Sequence, residues 1–153
     1  MSPSQLRAAV VAERAAWVRQ MTASLRSLPL GSLETFLADP RNPAAAESYL
    51  RRALEALLDL SRHLLAKGFA AAPVEYKEVA RELERAGVLP TELARTLRTL
   101  AGYRNRMVHF YHEIDQRELH EICSTRLGDL DEVLGALLAW CRAHPEKMDT
   151  PLG

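Results

Sequence analysis

Apolar residues recur along the first part of the chain at steps of three, four and seven: Leu6, Val10, Trp17, Met21 and Leu25. That spacing puts them on one stripe of an α-helix and predicts a first amphipathic helix. Ser2 and Pro3 form its cap-plus-proline start, and it ends near Leu28-Pro29. The polar connection GSLETFLADP has room for one turn of helix. Asn42-Pro43 repeats the cap-plus-proline start and predicts a second helix over Pro43 to Lys67, stopped at Gly68. Pro73 opens a shorter third helix that carries Val79, Leu83 and Ala86 to a stop at Gly87, and Thr91 caps a fourth. Asp115, with Glu118 three residues later, reads as a capping-box start for a long fifth helix. Leu119, Ile122, Leu127, Leu130, Val133, Leu134, Leu137 and Cys141 form its apolar stripe. The closing HPEKMDTPLG lacks a period, so residues 144–153 are expected to be a flexible tail. No segment alternates with a period of two, repeats, or carries a glycine-rich phosphate loop. The pattern predicts an all-α fold, an antiparallel bundle of about five helices in a single domain over residues 1–143.

Composition agrees with this picture. A chain of 153 residues suits one domain with a real core. Hydrophobic residues at 48% against 26% charged, with 7 glycines, belong to a soluble helical protein and not to a disordered or fibrous one. No apolar run reaches the roughly 20 residues a membrane span needs, and the N-terminus interrupts its apolar residues with arginines and a glutamate. A cytoplasmic location without membrane partners is expected. Cys123 and Cys141 stand within the predicted fifth helix, about 27 Å apart at 1.5 Å per residue, and read as reduced core thiols. Net charge is zero, so nothing global points to nucleic acid. Locally, Thr91 to Tyr111 sets Arg95, Arg98, Arg104 and Arg106 against Glu92 alone. Such a positive strip could receive a phosphate backbone, or could be a solvated helix face.

The chemistry is concentrated in YRNRMVHFYHEID, Tyr103 to Asp115. On a helix Asn105 and His109 are i and i+4, and Arg104 and Tyr111 are i and i+7, so two adjacent stripes converge. Arg104 and His109 lie about 140° apart around the axis, a gap that a long guanidinium arm closes. His109 falls near the predicted helix end, where exposed carbonyls favour the imidazolium. A permanent forked cation beside a proton-exchanging ring suits a phosphodiester. The arginine holds the anionic oxygens, and the histidine moves protons at the attacking and leaving oxygens. His109, His112 and Glu113 also invite a metal reading, but the order is not His-Glu-x-x-His and no third ligand is evident, so no metal is expected.

RNRMVHFY fits Arg-Asn-x-x-x-His-x-Tyr and resembles the HEPN superfamily in its HepT-like branch. These are the toxin halves of toxin–antitoxin pairs whose antitoxin is a minimal nucleotidyltransferase. ESYLRRALEALLDLSRHLL is similar to that family's second helix, and LERAGVLPTELARTLRTLAGYRNRMVHFYHEID follows its course into and out of the motif, so the resemblance covers Asn42 to Trp140. It implies a metal-independent endoribonuclease without a cofactor, working as a homodimer with both motifs facing one cleft. Arg104 and His109 map onto its catalytic pair, and Asn105 onto the polar residue after the arginine. Tyr111 maps onto the tyrosine that the nucleotidyltransferase adenylylates. Asp59, with His63 one turn later, and Arg106 are candidate supporting residues. The implied partners are an RNA substrate, tRNA among the candidates, and the cognate antitoxin. The alternative is a non-catalytic HEPN-like module that binds a nucleotide or a partner through the same patch, as an accessory to a separate nucleotidyltransferase.

Overall fold

A computed structural model describes residues 5–72, 75–109 and 114–153. Among them are seven α-helices: α1 Ala8–Arg26, α2 Leu33–Ala38, α3 Arg41–Phe69, α4 Tyr76–Arg85, α5 Thr91–Val108, α6 Gln116–Thr125 and α7 Leu127–Ala143. The 29-residue α3 is the spine, and each of the other six helices packs against it. It can serve all of them because its apolar residues run almost around its circumference. Leu50, Leu54, Leu57, Leu58, Leu60 and Leu64 are fully buried, while Ala46, Ala53 and Ala56 let neighbouring backbones come close. The bundle is all-α, as the periodicity predicts, with no β-strand among the described residues.

Two expected boundaries differ in an instructive way. The single turn anticipated in GSLETFLADP is a helix, α2, because Ser32 caps it: the Ser32 hydroxyl oxygen accepts from the Thr35 N–H at 3.1 Å. The long fifth helix is two, α6 and α7, broken at Arg126, whose backbone leaves helical geometry at φ −115°, ψ 0°. Ser124, Thr125 and Arg126 are all exposed, so no apolar contact holds the axis straight there. The stripe itself is as expected, with Leu119, Ile122, Leu127, Leu130, Val133, Leu134, Leu137 and Cys141 all buried. Cys123 and Cys141 therefore sit on different helices, and the straight-helix distance does not apply to them. Both are free and buried, and burial pushes their thiols up to about 12 and about 11.

The α1 stripe is also rotated from its expected register. Val11, Ala15, Val18, Met21, Thr22 and Leu25 face α3, while Trp17 is 40% exposed. Both faces of this helix carry apolar residues, and the small Ala15 allows the closer approach. Gly68 does not stop α3. It lies buried inside the last turn, and a Cβ there would stand 3.6 Å from Leu6 Cδ1. The cap is Ala70, in the left-handed region at φ 55°. Gly87, at φ 78°, does end the turn after α4. Pro90 and not Thr91 caps α5, and the Thr91 hydroxyl donates to Glu84 at 2.9 Å. Ser2, Pro3 and Pro73 lie outside the described residues.

The C-terminal segment, expected to be loose, is tied to the start of α1. Leu6 and Met148, both buried, form a parallel bridge, with the Leu6 N–H donating to the Lys147 carbonyl at 2.8 Å. The Asp149 carboxylate accepts from the first N–H of α1, that of Ala8, at 2.9 Å. It thereby satisfies a helix-terminal donor that no local side chain caps. His144 stacks on Trp140 with ring centroids 4.3 Å apart, and Lys147 donates to the Gly68 carbonyl. The missing period reflects attachment by backbone and polar groups rather than by an apolar face.

Candidate active site

Helix α5 runs from Thr91 to Val108, so Arg104 and Asn105 occupy its last turn. His109 is the capping residue beyond it, extended at φ −95°, ψ 121°, with its N–H donating to the Asn105 carbonyl at 3.0 Å. The helix end thus delivers the imidazole to an exposed position one step past Val108. Asn105, His109 and Arg104 line one open cleft of about 520 Å³, together with Arg62 of α3 and Glu75, Tyr76 and Lys77 at the start of α4. Its lining carries three permanent cations and one carboxylate, a balance that suits an anion.

Arg104 is held from two sides. Its Nε lies 3.7 Å from Glu55 Oε1, and its guanidinium stands 4.6 Å from the centre of the Tyr76 ring. The contact from its Nη1 to Asn105 Oδ1 is long, at 3.5 Å. The guanidinium of Arg62 lies over the same ring at 3.9 Å. The Tyr76 hydroxyl donates to Asp59 Oδ1 at 3.4 Å. Burial, followed by the Asp59 carboxylate, pushes that hydroxyl above its ordinary value against the opposing pull of Arg104 and Arg62, so Tyr76 stays a neutral donor.

Of the residues singled out in the sequence, Arg104, Asn105 and His109 come together, and Asp59 reaches the cleft indirectly through Tyr76. Arg106 turns away: its two terminal nitrogens each donate to Glu118 at 2.6 Å, fastening α5 to α6. His63 faces the start of α1, where its Nε2 accepts from the Arg7 N–H at 3.4 Å. Burial, then Lys67, Arg14 and Arg7, hold its imidazole below its ordinary value. Arg95 and Arg98 border an adjoining groove between α4 and α5, of about 550 Å³, that shares Glu75 and Lys77 with the cleft and also carries Arg81 and the carboxylates Glu78 and Glu84. The positive strip therefore spans two clefts, and carboxylates largely offset the cations of its outer half. Tyr111, like His112 and Glu113 of the metal reading, lies outside the described residues. Tyr76, Arg62, Lys77 and Glu55 were not anticipated. One signal was available, since Glu55, Asp59 and Arg62 are i, i+4 and i+7 and form a polar stripe on one face of α3.

The family described as Ribonuclease HepT-like matches residues 18–137. The tRNA nuclease HepT of Aphanizomenon flos-aquae (strain 2012/KM1/D3) is 30% identical over 88 residues, which cover 58% of this chain and 60% of that protein's length. Among solved structures, a tri-AMPylated HEPN toxin of Shewanella oneidensis in complex with an MNT antitoxin superposes with a TM-score of 0.76 at 18% identity. That match covers 85% of this chain and 97% of the toxin. YutE, a cytosolic protein of unknown function from Bacillus subtilis, superposes at 0.73 with 16% identity over 88% of this chain and 90% of its own. The bundle described above is thus the HEPN fold. No described helix is long and apolar enough to cross a membrane.

Proposed function

Because this chain belongs to the HepT-like ribonuclease family, we propose that it is the toxin ribonuclease of a toxin–antitoxin pair, cutting RNA without a metal and acting in the cytoplasm. The observation that carries this reading is the convergence of Arg104 and His109 on one exposed, cationic cleft. In the reaction, the ribose 2′-oxygen gives its proton to an imidazole and bonds to phosphorus. The bond from phosphorus to the 5′-oxygen breaks, and that oxygen takes a proton from an imidazolium. Arg104 faces the phosphoryl oxygens and the charge that builds on them, and Asn105 offers an amide donor beside it. The name of the Aphanizomenon relative makes tRNA the first substrate to test.

One subunit supplies one motif histidine, whereas this chemistry calls for a base and an acid. A homodimer that pairs two such clefts provides both. Val108, adjacent to His109 and 43% exposed, leaves an apolar residue uncovered at the place where such an interface would form. On purified dimer, Arg104→Ala and His109→Ala should each slow RNA cleavage by about a hundredfold or more while leaving the helical circular dichroism unchanged. Cleavage should survive EDTA. Loss on chelation, a His109→Ala variant as fast as wild type, or a species that stays at 17.1 kDa in light scattering each contradicts the proposal.

The same reading assigns control to Tyr111, two residues beyond His109. An adenylyl group there would bring a phosphate and a purine toward Arg104 and exclude RNA by charge and volume together. The tri-AMPylated state of the Shewanella oneidensis toxin supports this assignment. Incubation with the cognate nucleotidyltransferase, ATP and magnesium should add AMP to Tyr111 and stop cleavage, while Tyr111→Phe should stay active. An unmodified intact mass, with Tyr111→Phe still neutralised, would instead indicate inhibition by complex formation.

A further inference from the structure

We propose that Tyr76 is the positioning residue of the cleft, its ring holding the guanidinium groups of Arg62 and Arg104 at one site for the phosphates of an RNA strand. The substrate in this proposal rests on the nuclease reading above, whereas the positioning rests on the contacts. Arg62 comes from α3 and Arg104 from α5, and two cations brought to one cleft repel each other. The Tyr76 ring offsets that repulsion, because each guanidinium, at 3.9 Å and 4.6 Å from its centre, meets the electron-rich face. Tyr76 is the first residue of α4, so this one side chain ties together the three helices that border the cleft.

The ring is itself fixed. Its hydroxyl donates to Asp59, one turn before Arg62 on α3, and Glu55, one turn earlier again, faces the Arg104 Nε. Arg104 is therefore oriented through its Nε edge and its face. That Nε makes no hydrogen bond among the described residues, and Nη1 makes only the long contact to Asn105. This leaves the outer fork of the guanidinium for an incoming phosphate, where bidentate donation is strongest. A packing tyrosine would need only its volume. Here the ring face and the hydroxyl carry separable jobs, and substitutions can separate them.

The test combines arginine Nε–Hε NMR, a titration with inorganic phosphate, and RNA cleavage kinetics on wild type, Tyr76→Phe and Tyr76→Leu. Arg62→Lys and Arg104→Lys assign the two signals. In wild type and Tyr76→Phe both Hε signals should be displaced upfield by the ring, and phosphate should move them further. In Tyr76→Leu both should return toward exposed-arginine values, with kcat about tenfold lower and KM changed by less than about threefold. Tyr76→Phe should keep kcat within about threefold of wild type, a rescue that needs the ring and not the hydroxyl. The proposal is overturned if the wild-type signals lie at exposed-arginine values, a result that does not depend on any variant folding. It is equally overturned if folded Tyr76→Leu keeps the wild-type phosphate response and kcat. A wild type that cuts no RNA sinks the nuclease reading alone, and the spectra and phosphate titration then decide the positioning role.

Discussion

His63 shows how far a residue's neighbours can depart from its sequence context. It lies one turn after Asp59, which suggested a place at the active site, yet on α3 the two side chains serve different surroundings. Asp59 holds Tyr76, and His63 meets the cationic start of α1 with its imidazole held below the ordinary value, chiefly by burial. The sign of the resulting pH effect follows from that direction. As pH falls through about 6.5 the unfolded chain takes up the proton first, so stability is lost toward acid and recovered as pH rises. His63→Gln should flatten the melting temperature between about pH 5 and 7 without affecting cleavage. A wild-type melting temperature independent of pH over that range would refute the assignment. That Arg104, Asn105 and His109 share one cleft was readable because one helix end sets their relations through local spacing. Tyr76 and Asp149 were not, because their partners stand 17 or more residues away and only packing brings them together.

The helix starts that were read correctly are those with a local side-chain mechanism. Asp115 accepts from the Glu118 N–H at 2.8 Å, the first half of the expected capping box. Glu118 does not complete the box, because its carboxylate is taken by Arg106, and the result is a corner that joins the end of α5 to the start of α6. Asp115→Ala should lower stability by about 1 kcal/mol in urea titration, and Asp115→Asn by clearly less, since an amide oxygen also caps. Equal losses for the two would point to charge rather than capping. The Arg106–Glu118 pair is more than a third exposed on both sides, so its own contribution is small, about 0.5 kcal/mol. Two of the misread elements failed for different physical reasons. In α1 two apolar stripes compete and only the shape of α3 selects between them, and at Arg126 the apolar period continues across a break that exposed polar residues allow.

In the molecule as a whole, six helices on one spine explain why the fold class was readable from periodicity alone, since each apolar stripe needs only the nearest face of α3. The clasp between Leu6 and Met148 has no such signature, and its consequence is kinetic. It joins residues 142 positions apart, and Asp149 reaches back 141 positions to Ala8. Contacts of that span are costly to close while the chain is still loose, so they belong to the last stage of folding, after α1 has docked on α3. Interactions absent from the transition state govern how fast the native chain comes apart and leave its assembly rate alone. Asp149→Ala should therefore steepen neither arm of the chevron, raise the unfolding rate several-fold, and change the folding rate by less than about twofold. A variant slowed equally in folding would place the clasp in the nucleus instead. On the proposed reading of this chain as a toxin, whose dose would decide whether a cell grows, a clasp of this kind would set the lifetime of the folded protein while leaving its production untouched, because proteases that act on opened chains respond to how often it lets go.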